Sequence, residues 1–155
     1  MLDKSKPKSR GSDDEEAGGA NPNRTTRYEM KVLVVDDDPI SRNIVRDILG
    51  SRGFQVDGCE SAQSALERIR RLRYDLLILD IFLPHRDGRS LHRTVLTVDS
   101  ELAHRTIFIS HWEPAGAIAD YVGENGLFLK KPFTAEDLLR AIQLATGTAP
   151  RNLIA

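Results

Sequence analysis

Apolar positions along this chain change period several times. Residues 30–35, interrupted only by Lys31, form an apolar run rich in valine, the pattern of a strand buried on both faces. Asp36-Asp37-Asp38-Pro39 ends it, with Asp38 suited to a helix N-cap and Pro39 to the first helical position. Ile40, Ile44, Val45, Ile48 and Leu49 then recur at helical spacing up to Gly50. The unit repeats. Residues 54–59 read as a strand. Ser61 caps a helix with Ala62, Ala65, Leu66, Ile69 and Leu72 inward and Glu67, Arg68, Arg70, Arg71 and Arg73 outward. Residues 76–79 predict a third buried strand ending on Asp80. After a loop with Pro84 and Gly88, Leu91 and Val95 mark a helix that ends near Asp99. Residues 106–110 predict the fourth strand. A helix follows from about Pro114, carrying Ile118, Tyr121 and Val122 and stopping at Gly123. Leu127-Phe128-Leu129 is the fifth strand. Thr134 caps the last helix, with Glu136 and Asp137 in its first turn and Leu138, Leu139, Ile142 and Ala145 inside.

Five doubly buried strands alternating with five helices predict an α/β domain: a doubly wound, five-stranded parallel sheet with helices on both faces. In open sheets of this kind, sites form beyond the C-terminal ends of the strands. Polar residues stand there in this sequence: Asp36 and Asp37 after strand one, Asp80 after strand three, Ser110 after strand four and Lys131 after strand five.

Composition sets the limits of the domain. Residues 1–29 hold only five apolar residues, beside a basic block (Lys4, Lys6, Lys8, Arg10) and an acidic one (Asp13 to Glu16). Such a segment buries too little apolar surface to offset its chain entropy and reads as a disordered tail. Residues 30–146 are then the folded domain and 147–155 a short C-terminal tail. The chain of 155 residues has a net charge of −1, which argues against a nucleic-acid-binding role for the domain. No apolar run reaches the roughly 18 residues of a membrane span. Cys59 is the only cysteine, so intrachain disulfides and multi-cysteine zinc sites are excluded, and a reducing, cytoplasmic setting is expected. His85, His92, His104 and His111 lack ligand spacing for zinc.

Four pieces in order carry a family resemblance: residues 32–39 (VLVVDDDP), 80–88 (DIFLPHRDG), 106–110 (TIFIS) and 131–133 (KPF). Together they resemble the receiver domain of two-component response regulators, in the stand-alone form typified by chemotaxis regulators. The resemblance implies a flavodoxin-like strand order, 2-1-3-4-5. It implies that Asp80 accepts a phosphoryl group from a phosphohistidine. Asp36, Asp37, Asp80 and the Phe82 backbone carbonyl would hold Mg2+. Lys131 and Ser110 would meet the phosphoryl group, with Ser110 and Phe128 as the switch pair and the Lys131-Pro132 bond often cis. The chemistry is coherent: an ionised carboxylate is a competent nucleophile, crowded carboxylates need a hard cation, and phosphoryl transfer needs mainly positioning and charge neutralisation.

The implied partners are a sensor histidine kinase or histidine phosphotransfer protein. A downstream protein would dock on the face made by the helix from Pro114, the fifth strand and the last helix. The molecule would be a monomer or a dimer linked to phosphorylation. It would assist its own phosphorylation and hydrolysis without being an enzyme for an external substrate, and the short tails leave no room for an output module. Two rival readings are a haloacid-dehalogenase-type phosphatase using Asp36 and Asp38, and a receiver-like adaptor that works without phosphorylation. The chain departs from the family pattern where His111 and Trp112 follow Ser110, and where Phe82 is apolar. Crowding at these positions predicts slow phosphorylation by small donors or a long-lived phosphorylated state.

Overall fold

A computed structural model describes residues 29–147. The expected tails, 1–29 and 147–155, fall almost wholly outside the described residues. Five strands, β1 (Lys31–Val35), β2 (Gln55–Cys59), β3 (Leu76–Asp80), β4 (Thr106–Ser110) and β5 (Leu127–Lys130), pair in parallel. Their order is β2-β1-β3-β4-β5, as the resemblance implied. The helices are α1 (Pro39–Gly50), α2 (Ala62–Arg71), α3 (Gly88–Val98), α4 (Ser100–His104), α5 (Gly116–Asn125) and α6 (Ala135–Thr146). The face expected for a downstream partner is therefore α5–β5–α6 in this numbering.

The alternation of side chains along each strand builds two cores. Leu33, Val35, Leu77, Leu79 and Phe108 meet α2, α3, α4 and α5 on one face. Val32, Val34, Leu76, Ile78, Ile107 and Ile109 meet α1 and α6 on the other. β1, β3 and β4 are flanked on both sides, which explains their continuous aliphatic character.

Three expectations change. The chain has six helices among the described residues, not five, because Asp99 both ends α3 and caps α4, its Oδ1 accepting from Leu102 N at 3.1 Å. Five residues are too short to show a helical period, yet Leu102 and Ala103 seal the core there. Leu72 is exposed rather than inward, because α2 stops at Arg71 and Leu72 is already extended. Ile40 and Ile44 are also exposed, at 69% and 47%. Rows of residues four apart slope across a helix surface. In α1 the inward row is Val45 and Leu49. The row through Ile40 and Ile44 reaches the sheet only at Ile48.

Candidate functional site

The C-terminal ends of β1, β3 and β5 deliver three groups to one point. Asp36 follows β1, Asp80 ends β3, and Lys131 follows β5. The Lys131 ammonium donates to Asp36 Oδ2 at 2.6 Å and to Asp80 Oδ2 at 2.9 Å. All three side chains are buried. The remaining oxygens of both carboxylates are also engaged. Asp36 Oδ1 accepts from Asp38 N at 3.0 Å and Asp80 Oδ1 from Phe82 N at 2.8 Å. Arg42 of α1 donates to the Asp36 carbonyl at 2.6 Å, fixing the chain where it leaves β1. The Lys131-Pro132 bond is cis.

Burial pushes the Asp80 carboxyl above the ordinary carboxylate range, against the opposing pull of Lys131 and the Phe82 N–H. Burial also disfavours charge on Lys131, but its hydrogen bonds to Asp36 and Asp80 outweigh this and hold its pKa above the ordinary lysine value. Lysine therefore stays protonated between the carboxylates. Asp37, the next residue, is exposed at the mouth. Oxygens of Asp36, Asp37 and Asp80 lie within 4.8 Å of one another. Three carboxylates facing one ammonium leave the cluster short of positive charge, and an all-oxygen donor set suits a hard divalent cation such as Mg2+.

The loop after β3 shapes the mouth. Phe82 and Asp87 form an antiparallel bridge, and Gly88 N donates to the Ile81 carbonyl at 2.8 Å. A Cβ on Gly88 would stand 2.5 Å from the Asp80 carbonyl oxygen, so only glycine lets α3 start this close to β3. An open groove of about 500 Å³ runs from Asp37 along Phe82, Pro84, His85 and Arg86.

The other expected residues lie at measured places. Ser110 is buried, and its Oγ accepts from Trp112 N at 3.0 Å. Phe128 is half-buried, opposite Phe108 in the β4–β5 register, and packs on the first core beside Tyr121 and Ile118. The Phe82 ring is partly exposed and stands edge-on to Trp112, centroids 6.1 Å apart. His111 contacts the same indole at 6.0 Å. Asp38 is spent as the cap of α1, accepting from Ile40 N and Ser41 Oγ, both at 3.0 Å. These bonds lower its pKa, and they leave it engaged locally rather than as an acid or base.

The crowding expected of Phe82 and Trp112 takes the form of their edge-on contact. One feature escaped sequence reading: the buried His92, which touches Tyr121 across 29 positions of sequence. The available signal was that His92 and Tyr121 each sit on the apolar side of a helix, beside Leu91 and Val95 or Ile118 and Val122.

An open parallel sheet with an acidic, lysine-bridged cluster beyond its strand ends defines a switch-point site of the doubly wound class. The sequence model of the response regulator receiver domain matches residues 32–143, and the chain belongs to that family. Transcriptional regulatory protein DltR of Streptococcus agalactiae (strain NEM316) is 32% identical over 123 residues, 76% of this chain and 52% of that protein. The chain thus spans about half the length of the curated transcriptional regulators it matches. Chemotaxis protein CheY of Bacillus subtilis is 30% identical over 114 residues, 72% of this chain and 93% of CheY. Among solved structures, the receiver domain of sensor histidine kinase PA1611 from Pseudomonas aeruginosa superposes with a TM-score of 0.67. It is 24% identical, and the match covers 77% of this chain and 99% of that one. That structure carries a magnesium ion in its active-site cleft.

Proposed function

We propose that this receiver domain takes a phosphoryl group from a phosphohistidine of a partner protein onto Asp80. The single observation that carries the reading is the Lys131 ammonium shared between Asp36 and Asp80 at 2.6 and 2.9 Å. That bridge keeps a buried carboxylate in place with positive charge beside it. An Asp80 oxygen attacks phosphorus, the phosphorus–nitrogen bond breaks, and its electron pair returns to the imidazole. The product is an acyl phosphate. Lys131 follows the phosphoryl oxygens, and Ser110 supplies a hydroxyl donor. Mg2+ held by Asp36, Asp37, Asp80 and the Phe82 carbonyl would neutralise the charge that builds on the phosphoryl oxygens.

Partner contact follows from the surface around the mouth. Ile40 and Ile44 expose an apolar strip on α1 beside the acidic end of the sheet, and an incoming kinase or phosphotransfer helix would cover it. Output passes to a downstream protein through α5–β5–α6, with relay to a second histidine as the other route. The domain acts on no external substrate. No helix among the described residues is long and apolar enough to cross a membrane. A cytoplasmic setting is part of this proposal.

The test is acetyl phosphate with Mg2+, read by intact mass and repeated with a phosphorylated histidine partner. The wild type gains one phosphoryl group and the Asp80→Asn variant gains none. An equally modified variant, or a wild type unmodified by both donors, sinks the assignment. The same time course reads lifetime. Phe82, Trp112 and His111 stand together at the mouth and exclude attacking water, so the double variant His111→Ala, Phe82→Asn loses its phosphoryl group faster. Equal decay would remove the aromatic wall from the account.

A further inference from the structure

His92 of α3 is buried, yet both ring nitrogens are satisfied. Nε2 lies 2.8 Å from the Ala103 carbonyl, which only accepts, so Nε2 carries the proton. Burial lowers the imidazole pKa and keeps the ring neutral. Nδ1 is then an acceptor, and the Tyr121 hydroxyl of α5 donates to it at 2.7 Å. The Ala103 carbonyl also accepts from Thr106 Oγ1 at 2.9 Å, which ties the pair to the start of β4. Phe108 packs against both rings, 5.1 Å from His92 and 6.3 Å from Tyr121. The Arg93 guanidinium covers Tyr121 at 4.9 Å.

Elsewhere α5 is held mainly by Val122 and the half-buried Ile118, which pack on the first core. Val122 is its only buried residue, and Ala115 makes no side-chain cap. Its near end meets the acceptor site at Trp112, which also stands edge-on to Phe82, while Glu113 pairs with Lys130 at 4.0 Å. Ser110 Oγ holds Trp112 N, at the start of the 111–115 connection into α5. A Ser110 hydroxyl turned toward a phosphoryl group leaves Trp112 N and frees that connection. Phe128 lies in the same layer as Tyr121, so an inward step of Phe128 is also felt there.

We propose that the His92–Tyr121 hydrogen bond is a latch that pins α5 to α3 in the unphosphorylated protein and sets the threshold of the switch. The inference rests on the reading of Asp80 as acceptor. Both residues act as positioning residues, remote from the carboxylates. A bond present in only one of two states biases the equilibrium toward that state, so removing it favours the other.

The test uses Tyr121→Phe, which keeps the ring and removes the hydroxyl. Mg2+ with beryllium fluoride, a phosphoryl mimic, is titrated into the full chain and read by fluorescence of Trp112, the only tryptophan. The melting temperature is measured in parallel. The latch predicts apparent affinity roughly three- to tenfold tighter in the variant, from the net worth of one buried hydrogen bond, together with a lower melting temperature. His92→Leu gives the same tightening, and the double variant adds nothing further. Unchanged or weaker affinity at a lowered melting temperature overturns the latch and leaves an ordinary structural bond. No saturable response in the wild type, with Asp80→Asn behaving identically, overturns the acceptor reading and the latch with it.

Discussion

The two helices that flank β5 are built in opposite ways. α6 begins with a reciprocal capping box between Thr134 and Asp137, carries Glu136 and Asp137 in its first turn, and buries Leu138, Leu139, Ala141 and Ile142. It ends at Gly147 in a left-handed cap. α5 has no side-chain cap, starts at a left-handed Gly116 and buries Val122 alone. Their positions in the fold explain the contrast. α6 follows Lys131 and Pro132 directly, so its anchorage fixes the ammonium between Asp36 and Asp80. α5 follows the connection whose Trp112 N–H donates to Ser110 Oγ, and under the proposed switch a lightly held helix there answers the site. A receiver needs one rigid flank to present its chemistry and one adjustable flank to report it.

Truncating the buried faces tests this contrast most strongly. Ile142→Ala in α6 removes a fully buried side chain and costs about 2–5 kcal/mol in urea unfolding. Val122→Ala in α5 removes less apolar surface and costs roughly 1–2 kcal/mol. The second variant leaves Lys131 in place, so its affinity for a phosphoryl mimic stays within a few-fold of wild type. Equal costs at the two positions would break the comparison, because α5 would then be as firmly held as α6.

The helix starts give a smaller effect. Thr134→Ala deletes the α6 cap and costs about 1 kcal/mol. α5 depends instead on backbone shape. Gly116 sits at φ 57° with open space around it, so Gly116→Ala meets no neighbour but pays the left-handed strain, about 1–2 kcal/mol. Amide hydrogen exchange places each loss: in α6 for Thr134→Ala and in α5 for Gly116→Ala. A Gly116→Ala protein as stable as wild type would show that the start of α5 relaxes freely in either form.

Much of this arrangement is legible in the sequence because it is local. Continuous runs such as Leu76 to Leu79 announce doubly buried strands, and polar residues stranded at their ends, Asp80 and Lys131 above all, announce the site. Capping is legible too, at Asp38, Ser61 and Thr134, since the cap and the amide it serves lie two or three positions apart. What was not legible depends on distance or on slope. The His92–Tyr121 contact joins two helices, and neither residue departs from an ordinary apolar helix face in one dimension. Ile40 and Ile44 keep perfect helical spacing, yet the tilt of their row carries them off the sheet. The short α4 has too few residues for any period, and its cap residue also closes α3.

Acid separates the two flanks with the smallest perturbation. His92 is held below its ordinary value of 6.5, first by burial, with Arg93 and His104 adding repulsion to its charged form. A base whose folded pKa is depressed stabilises the fold above its unfolded value and loses that contribution as pH falls through the folded one. The pin on α5 therefore weakens as pH drops below 6.5. Asp137 is held below 3.8 by its hydrogen bonds to Thr134, so the α6 cap stays intact above 3.8 and fades only below its own lowered value. Lowering pH from 7 toward 3 should release α5 amides to exchange before α6 amides, while the His92 imidazole signal titrates in the same step. Tyr121→Phe removes that step's link to α5 and leaves the α6 transition where it was. Loss of α6 protection first, or simultaneous loss of both, would mean that the two helices share one cooperative unit and that His92 does not hold α5 separately.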